Sequence, residues 1–239
     1  MQDEGGTLPS VVCVHGAGAG GWEWGIWARV LGARGFDVLA PDLMPCEAGL
    51  AATGFDDYRA QVIDWCRDGR PRPILLGASL GGLLALSVAK TADAAALVLV
   101  NPLPSAGGPL LPRARSFDAV MPWGSRRSLA GTRRAMPDAD DAARMFAFRR
   151  WRDESGAVLE AAHRGIAVEA PSCRVFVLAS ELDADVPAAA SRALACRLEA
   201  DFEQIDNAGH VDPLLGRDAG RIAERAADWL LARMVVPSI

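Results

Sequence analysis

The chain has 239 residues, enough to bury one sizeable core, and a single domain over 1–239 is expected. Hydrophobic residues make up 51% and charged residues 23%, and a net charge of −5 gives no reason to expect nucleic acid or an anionic membrane as partner. No apolar run is long enough for a bilayer span, and the opening MQDEGGTLPS has neither the basic start nor the apolar stretch of a secretory signal.

Short apolar runs alternate with longer helical patterns. Strands are predicted at 11–15, 38–40, 73–77, 96–100 and 174–179, with a weaker sixth at 201–206. The first five are nearly continuous in Val, Leu and Ile, as strands are when helices cover both faces of a parallel sheet. Helices are predicted at 22–33, 55–68, 79–90, 187–198 and 214–234. This alternation defines the class as α/β, a mostly parallel sheet of about six strands flanked by helices. One interval breaks the rhythm. From 102 to 168 no strand is read, and a stretch that long is not a bare loop. It is expected to be a helical cap inserted between two strands. It carries eleven arginines against seven acids, although the chain as a whole is acidic. Solvated helix faces are the plain reading of those arginines.

The five cysteines (13, 46, 66, 173, 196) are odd in number and contain no C-x-x-C pair. They read as reduced thiols of a cytoplasmic protein. Only three histidines are present, none with a second ligand at metal-site spacing, so neither metal nor cofactor is expected.

The strongest local signal is ILLGASLGG at 74–82. An apolar strand runs into G-x-S-x-G and then into a helical stretch, the arrangement of a nucleophile elbow. The turn is tight enough that a side chain two residues before or after the serine would clash. Ser79 is thereby the candidate nucleophile. A serine hydroxyl needs a base, and usually an acid to fix the base's tautomer. His210, in NAGH between the last strand and the last helix, is the candidate base. His15 precedes a glycine loop and suits a structural role, and His163 lies in a helical pattern as a surface or packing residue. The acid follows the strand at 174–179, where Glu181, Asp183 and Asp185 compete. Asp183 is preferred, with the other two as fallbacks. The loop HGAGAGGW at 15–22 suits an oxyanion hole, with backbone N–H groups of Ala17 and Leu80 as donors. Its rival is a dinucleotide loop using Gly16, Gly18 and Gly21 with Asp37 or Asp42, which would leave the elbow and Gly-His unexplained.

HGAGAGGWEW, APDL, GASLGG, ELDADVP and NAGH occur together, in order, from about residue 11 onward. In this the chain resembles the α/β-hydrolase superfamily, of serine esterase type, with some likeness to the plant methylesterase and hydroxynitrile lyase branch. The resemblance implies an acyl-enzyme mechanism in which Ser79 attacks a carbonyl, His210 moves the proton and Asp183 holds His210. Only about ten residues precede the first strand, so the family's N-terminal hairpin is expected to be missing and six parallel strands to remain. Ala78 stands where histidine is common. A serine nucleophile disfavours the dehalogenase and epoxide hydrolase subfamilies. The lyases carry a lysine beside the catalytic histidine, whereas Val211 stands here and Lys90 is the chain's one lysine.

These readings favour a carboxylic-ester hydrolase acting on a small-molecule ester. A thioesterase or small amidase would use the same triad, and a non-catalytic ligand-binding member of the fold is the alternative from another class. A homodimer is common for such folds, though no interface is marked. Trp22, Trp24, Trp27, Trp123 and Trp151 are candidates for an apolar pocket wall or for packing.

Overall fold

The computed structural model describes residues 8–68, 72–108, 111 and 116–234. Residues 1–7, and Arg113 and Arg115 of the basic interval, lie outside them. The elements run β1 (Ser10–Val14), α1 (Gly25–Ala33), β2 (Asp37–Leu39), α2 (Phe55–Asp68), β3 (Ile74–Ala78), α3 (Leu80–Val88) and β4 (Ala96–Val100). Next come β5 (Val120–Met121), α4 (Leu129–Ala135), α5 (Asp141–Phe148), β6 (Glu154–Ser155) and α6 (Gly156–Arg164). The chain closes with β7 (Arg174–Ser180), α7 (Ala188–Arg197), β8 (Asp201–Ile205), α8 (Asp212–Leu215) and α9 (Ala219–Met234).

Six strands form one all-parallel sheet in the order β2-β1-β3-β4-β7-β8. Strand alternation explains the continuous apolar runs. Val11 and Cys13 of β1 join one apolar layer, with α1 and α9, while Val12 and Val14 join the other, with α2 and α3. Ile74 and Leu76 against Leu75, and Val98 and Val100 against Leu97 and Leu99, divide the same way. At about 25 cal/mol per Å² of apolar surface, the two layers supply the main driving force for the sheet. The edge strand β8 is apolar only in part, which is why its signal in the sequence is weaker.

The topology fixes where a site can form. The chain passes from β1 to β2 on one side, then returns across β1 to place β3 on the other. The strand order reverses between β1 and β3. In open α/β sheets the crevice at such a reversal, beyond the carboxyl ends of the strands, is where ligands bind. Here those two ends carry the glycine loop and Ser79.

Three predicted elements differ in detail. The interval between β4 and β7 was expected to lack strands, yet β5 and β6 pair antiparallel over two residues each. Two residues are too few for an alternation to register in sequence. The predicted helix at 22–33 is a 3-10 turn (Gly21–Trp24) followed by α1. The predicted helix at 214–234 is two helices, because Gly216 leaves helical geometry at φ −73°, ψ 179°.

Candidate active site

Ser79 stands between β3 and α3 at φ 51°, ψ −116°. A non-glycine residue at positive φ is strained, and such strain persists only where neighbours impose it. The main chain does so here. The Ser79 N–H donates to the carbonyl of Val100 (3.0 Å), and its carbonyl accepts from the N–H groups of Gly82 (3.0 Å) and Leu103 (3.0 Å). The glycines two residues either side are sterically required. A Cβ on Gly77 would lie 2.3 Å from the carbonyl oxygen of Gly81, and one on Gly81 would lie 2.1 Å from that of Val14. Leu80 opens the buried α3, so its N–H belongs to the unpaired first turn that favours negative charge.

Asp183 and His210 come together from the loops after β7 and β8. Asp183 Oδ2 accepts from His210 Nδ1 at 2.6 Å, while its Oδ1 accepts from the N–H groups of Asp185 (2.8 Å) and Val186 (2.9 Å). A carboxylate at Nδ1 keeps the proton there and leaves Nε2 bare, the tautomer a general base requires. The Asp183 side chain is fully buried and that of His210 is 15% exposed. Burial pulls the imidazole's pKa down. The Asp183 carboxylate, with Asp185 and Glu23 adding to it, more than offsets this and holds it at about 9. Of the other acids considered, Glu181 accepts from the N–H of Asn207 (2.9 Å) and so holds the turn that leads to His210.

Asp183, Asp185 and His210 also bring three candidate metal-ligating atoms within 4.8 Å of one another. Both oxygens of Asp183 already accept N–H donors, so the donor set fits a histidine-orienting arm better than a cation site.

Ser79 and His210 line one cleft with Gly16, Ala17, Ala19, Glu23, Ala78, Trp151, Val211 and Leu214. It is small, about 40 Å³. A larger cavity of about 200 Å³ lies beside Asp138, Asp206, Asn207 and Asp212 and does not include Ser79. The smaller cleft is the one that Ser79 and His210 share.

The glycine loop is fixed from several directions. Its residues 16–19 form a β-turn, the Ala19 N–H donating to the Gly16 carbonyl (3.2 Å), with Gly18 at φ +67° in the position that favours glycine. The N–H of Gly16 donates to Glu23 Oε1 (2.7 Å), and that of Gly18 donates to Glu154 Oε2 (2.9 Å). Ala17 lies between them and faces the cleft.

His15 is buried, with both ring nitrogens bonded to the main chain. Nδ1 donates to the Gly16 carbonyl (2.8 Å) and Nε2 accepts the N–H of Leu43 (2.8 Å), which is one neutral tautomer. Burial lowers its pKa to about 4. The unfolded chain then binds a proton on His15 from its ordinary value of 6.5 downward, while the folded chain resists until about 4. Stability should therefore fall as pH drops through that window, by about 3 kcal/mol in total from this residue. Urea unfolding between pH 7 and pH 4 measures it, and His15→Gln should flatten that part of the slope.

Three polar residues in and around the site were not singled out in the sequence. Asn101, at φ 45° at the end of β4, accepts the N–H of Ser180 (2.7 Å) and donates to the Ser180 hydroxyl (2.9 Å) and the His210 carbonyl (2.7 Å). It ties the Asp183 and His210 loops together. Glu23 is 3% exposed and lines the cleft; burial pushes its pKa up to about 8. An acid between two tryptophans, WEW, was its only trace in the sequence. Glu154 is the third.

The tryptophans divide by role. Trp24 and Trp27 are buried in the core at 5.5 Å, and Trp27 Nε1 donates to the Pro213 carbonyl (2.9 Å). Trp151 lines the cleft and packs edge-on to Trp22 at 5.3 Å. Several basic residues of the β4–β7 interval serve its own backbone: Arg127 donates to the carbonyl of Arg149 (2.9 Å) and Arg144 to that of Pro137 (2.7 Å). His163 packs on Phe117 at 4.8 Å.

This fold and strand-end geometry are those of an α/β hydrolase. The family model described as "Alpha/beta hydrolase family" matches residues 11–225, and the chain belongs to that family. Among solved structures it is similar to a monoacylglycerol lipase from Paleococcus ferrophilus (20% identity, TM-score 0.69, covering 95% of this chain and 96% of that one). It is similar to a pyrethroid hydrolase from Sphingobium faniae JZ-2 (22%, 0.69, 95% and 98%) and to polyneuridine aldehyde esterase (15%, 0.70, 94% and 98%). No curated protein matches its sequence. No described helix is long and apolar enough to cross a membrane.

Proposed function

We propose that the protein is a serine hydrolase that cleaves a carboxylic ester of a small molecule through an acyl-enzyme. The observation that carries this reading is a buried Asp183–His210 pair at 2.6 Å whose imidazole opens on the same cleft as a strained, strand-end serine. Ser79 Oγ attacks the ester carbonyl while His210 Nε2 takes its proton. The backbone N–H groups of Ala17 and Leu80 hold the oxyanion, each worth about 2.7–4 kcal/mol in comparable sites. The tetrahedral intermediate collapses, His210 returns the proton to the departing alkoxide, and the alcohol leaves. Water, deprotonated by His210, then releases the acid and restores Ser79.

The names of the similar solved structures, a lipase, a pyrethroid hydrolase and an esterase, agree with ester cleavage. The interval 102–168 acts as a cap on a single domain, covering the cleft with Trp151. The cleft is narrow, about 40 Å³, and Trp151 forms one of its walls. All five cysteines are free, in keeping with a reducing, cytoplasmic setting.

Turnover of p-nitrophenyl acetate, butyrate and octanoate, set beside a butyryl thioester, tests the proposal. The ester reading predicts hydrolysis of the p-nitrophenyl series with a higher kcat/KM for butyrate than for its thioester. Preference for the thioester would move the assignment to a thioesterase, and no turnover of either would reject it.

A further inference from the structure

The main-chain turn that carries Ala17 is held by the β4–β7 interval as well as by the sheet. Glu154, in β6, is 3% exposed. Its Oε2 accepts the N–H of Gly18 (2.9 Å), and its Oε1 accepts the Tyr58 hydroxyl (2.8 Å) and the N–H of Ser155 (2.8 Å). Two residues earlier, the N–H of Arg152 donates to the carbonyl of Gly18 (2.7 Å). Gly18 is therefore gripped at both its N–H and its C=O by one short stretch more than a hundred residues away in sequence. The grip extends further. Arg152 Nη2 donates to the Leu43 carbonyl (2.7 Å) and Arg152 pairs with Asp42 (3.0 Å), whose Oδ1 accepts the N–H of Gly21 (2.7 Å). Gly18 has no room for a side chain in this arrangement, because a Cβ would lie 2.7 Å from the Trp123 ring.

Resting on the serine-hydrolase reading above, we propose that Glu154 is a positioning residue for the reaction. It fixes the Gly16–Ala19 turn so that the Ala17 N–H stands ready for the oxyanion. Glu154 touches no reacting atom. Its effect passes through Gly18, one peptide unit beyond the donor residue. A buried carboxylate suits the task because every partner around it is a donor: two backbone N–H groups and one hydroxyl.

Glu154→Gln is the sharpest variant. Its amide has one oxygen, which stays with the Tyr58 hydroxyl and the Ser155 N–H, so its NH₂ faces the N–H of Gly18. The turn loses its fixed geometry while the side chain keeps its size. Misplacing a preorganised group by a fraction of an ångström to one ångström costs about 10- to 100-fold in rate. The variant should lose that much in kcat on p-nitrophenyl butyrate, with KM within about threefold of wild type. Affinity for an alkyl boronic acid, whose tetrahedral adduct on Ser79 calls on the oxyanion donors, should fall by the same factor as kcat. Tyr58→Phe removes one hydroxyl at lower risk to folding and should show the same pattern at a few-fold. Unchanged kcat and boronate affinity in a folded Glu154→Gln, or in Tyr58→Phe where the first variant does not fold, would overturn the proposal. So would a rise in KM with kcat kept, which would make Glu154 a substrate-pocket residue. Failure of the serine-hydrolase reading itself would look different, because the wild type would then neither hydrolyse the ester nor bind the boronate.

Discussion

Replacing Ser79 by alanine should reduce ester turnover by at least about 10⁴-fold while leaving the fold and melting temperature unchanged. The size follows from the division of labour at the site. Without the hydroxyl no acyl-enzyme forms, and only the oxyanion donors and substrate binding remain to help a water attack directly. The fold should survive because the main chain holds the elbow. The Ser79 N–H to Val100 bond and the bonds from Gly82 and Leu103 to the Ser79 carbonyl persist in alanine. Alanine also meets the same cost at φ 51° as serine. Parallel kcat/KM and thermal unfolding measurements check both halves. A turnover loss that tracks a fall in melting temperature would mean that the variant misfolds, and retained turnover would remove Ser79 from the chemistry.

The second large effect concerns Asp183. Asp183→Asn should cost about 10⁴-fold in kcat/KM at neutral pH, because the amide oxygen will stay with the N–H groups of Asp185 and Val186. Its NH₂ then faces His210 Nδ1, which must present a lone pair, and the ring proton moves to Nε2. An imidazole in that tautomer has no free site for the serine proton. The pH profile should move as well. His210 is active only when neutral, so wild-type kcat/KM should rise with pH along a limb whose midpoint lies near 9. Asp183 is the main influence raising that value against burial. Asparagine removes it, leaving Asp185 and Glu23 as the weaker raising charges, and the limb should shift to lower pH. A limb that stays in place would show that another group governs it.

How much of this was legible in the sequence depended on the range of the interaction that fixes each feature. The elbow was legible because its logic is local. Gly77 and Gly81 are required by contacts within the strand–turn–helix unit and with the adjacent β1. Four strands, β1, β3, β4 and β7, were legible because burial on both faces writes itself as an unbroken apolar run, whereas β2 is a three-residue edge strand with two exposed residues. Asp183 was preferred over its neighbours by position; its Oδ2 lies 2.6 Å from His210 Nδ1, while Glu181 accepts the N–H of Asn207. Glu154 was beyond reach. It meets Gly18 and Tyr58 across sequence separations of 136 and 96 residues, and nothing local marks it. Asn101, at the end of β4, carries no local signal either. Its actual work, bridging Ser180 and His210, needs both loops to be in place. The ribbon of β5 and β6 escaped for a simpler reason, since two residues have no period. The basic character of the 102–168 interval was legible as composition, but the carbonyls that Arg127 and Arg144 cap could not be read from it.

If Ser79 is an activated nucleophile, covalent labelling should show it directly. The protein is treated with a fluorophosphonate probe, its intact mass is recorded, and the modified peptide is sequenced. A single adduct located on Ser79, formed in the wild type and absent from Ser79→Ala, is the predicted result. A folded wild type that takes no adduct, or takes it at another residue, would contradict the account and leave the Asp183–His210 pair without the partner proposed for it.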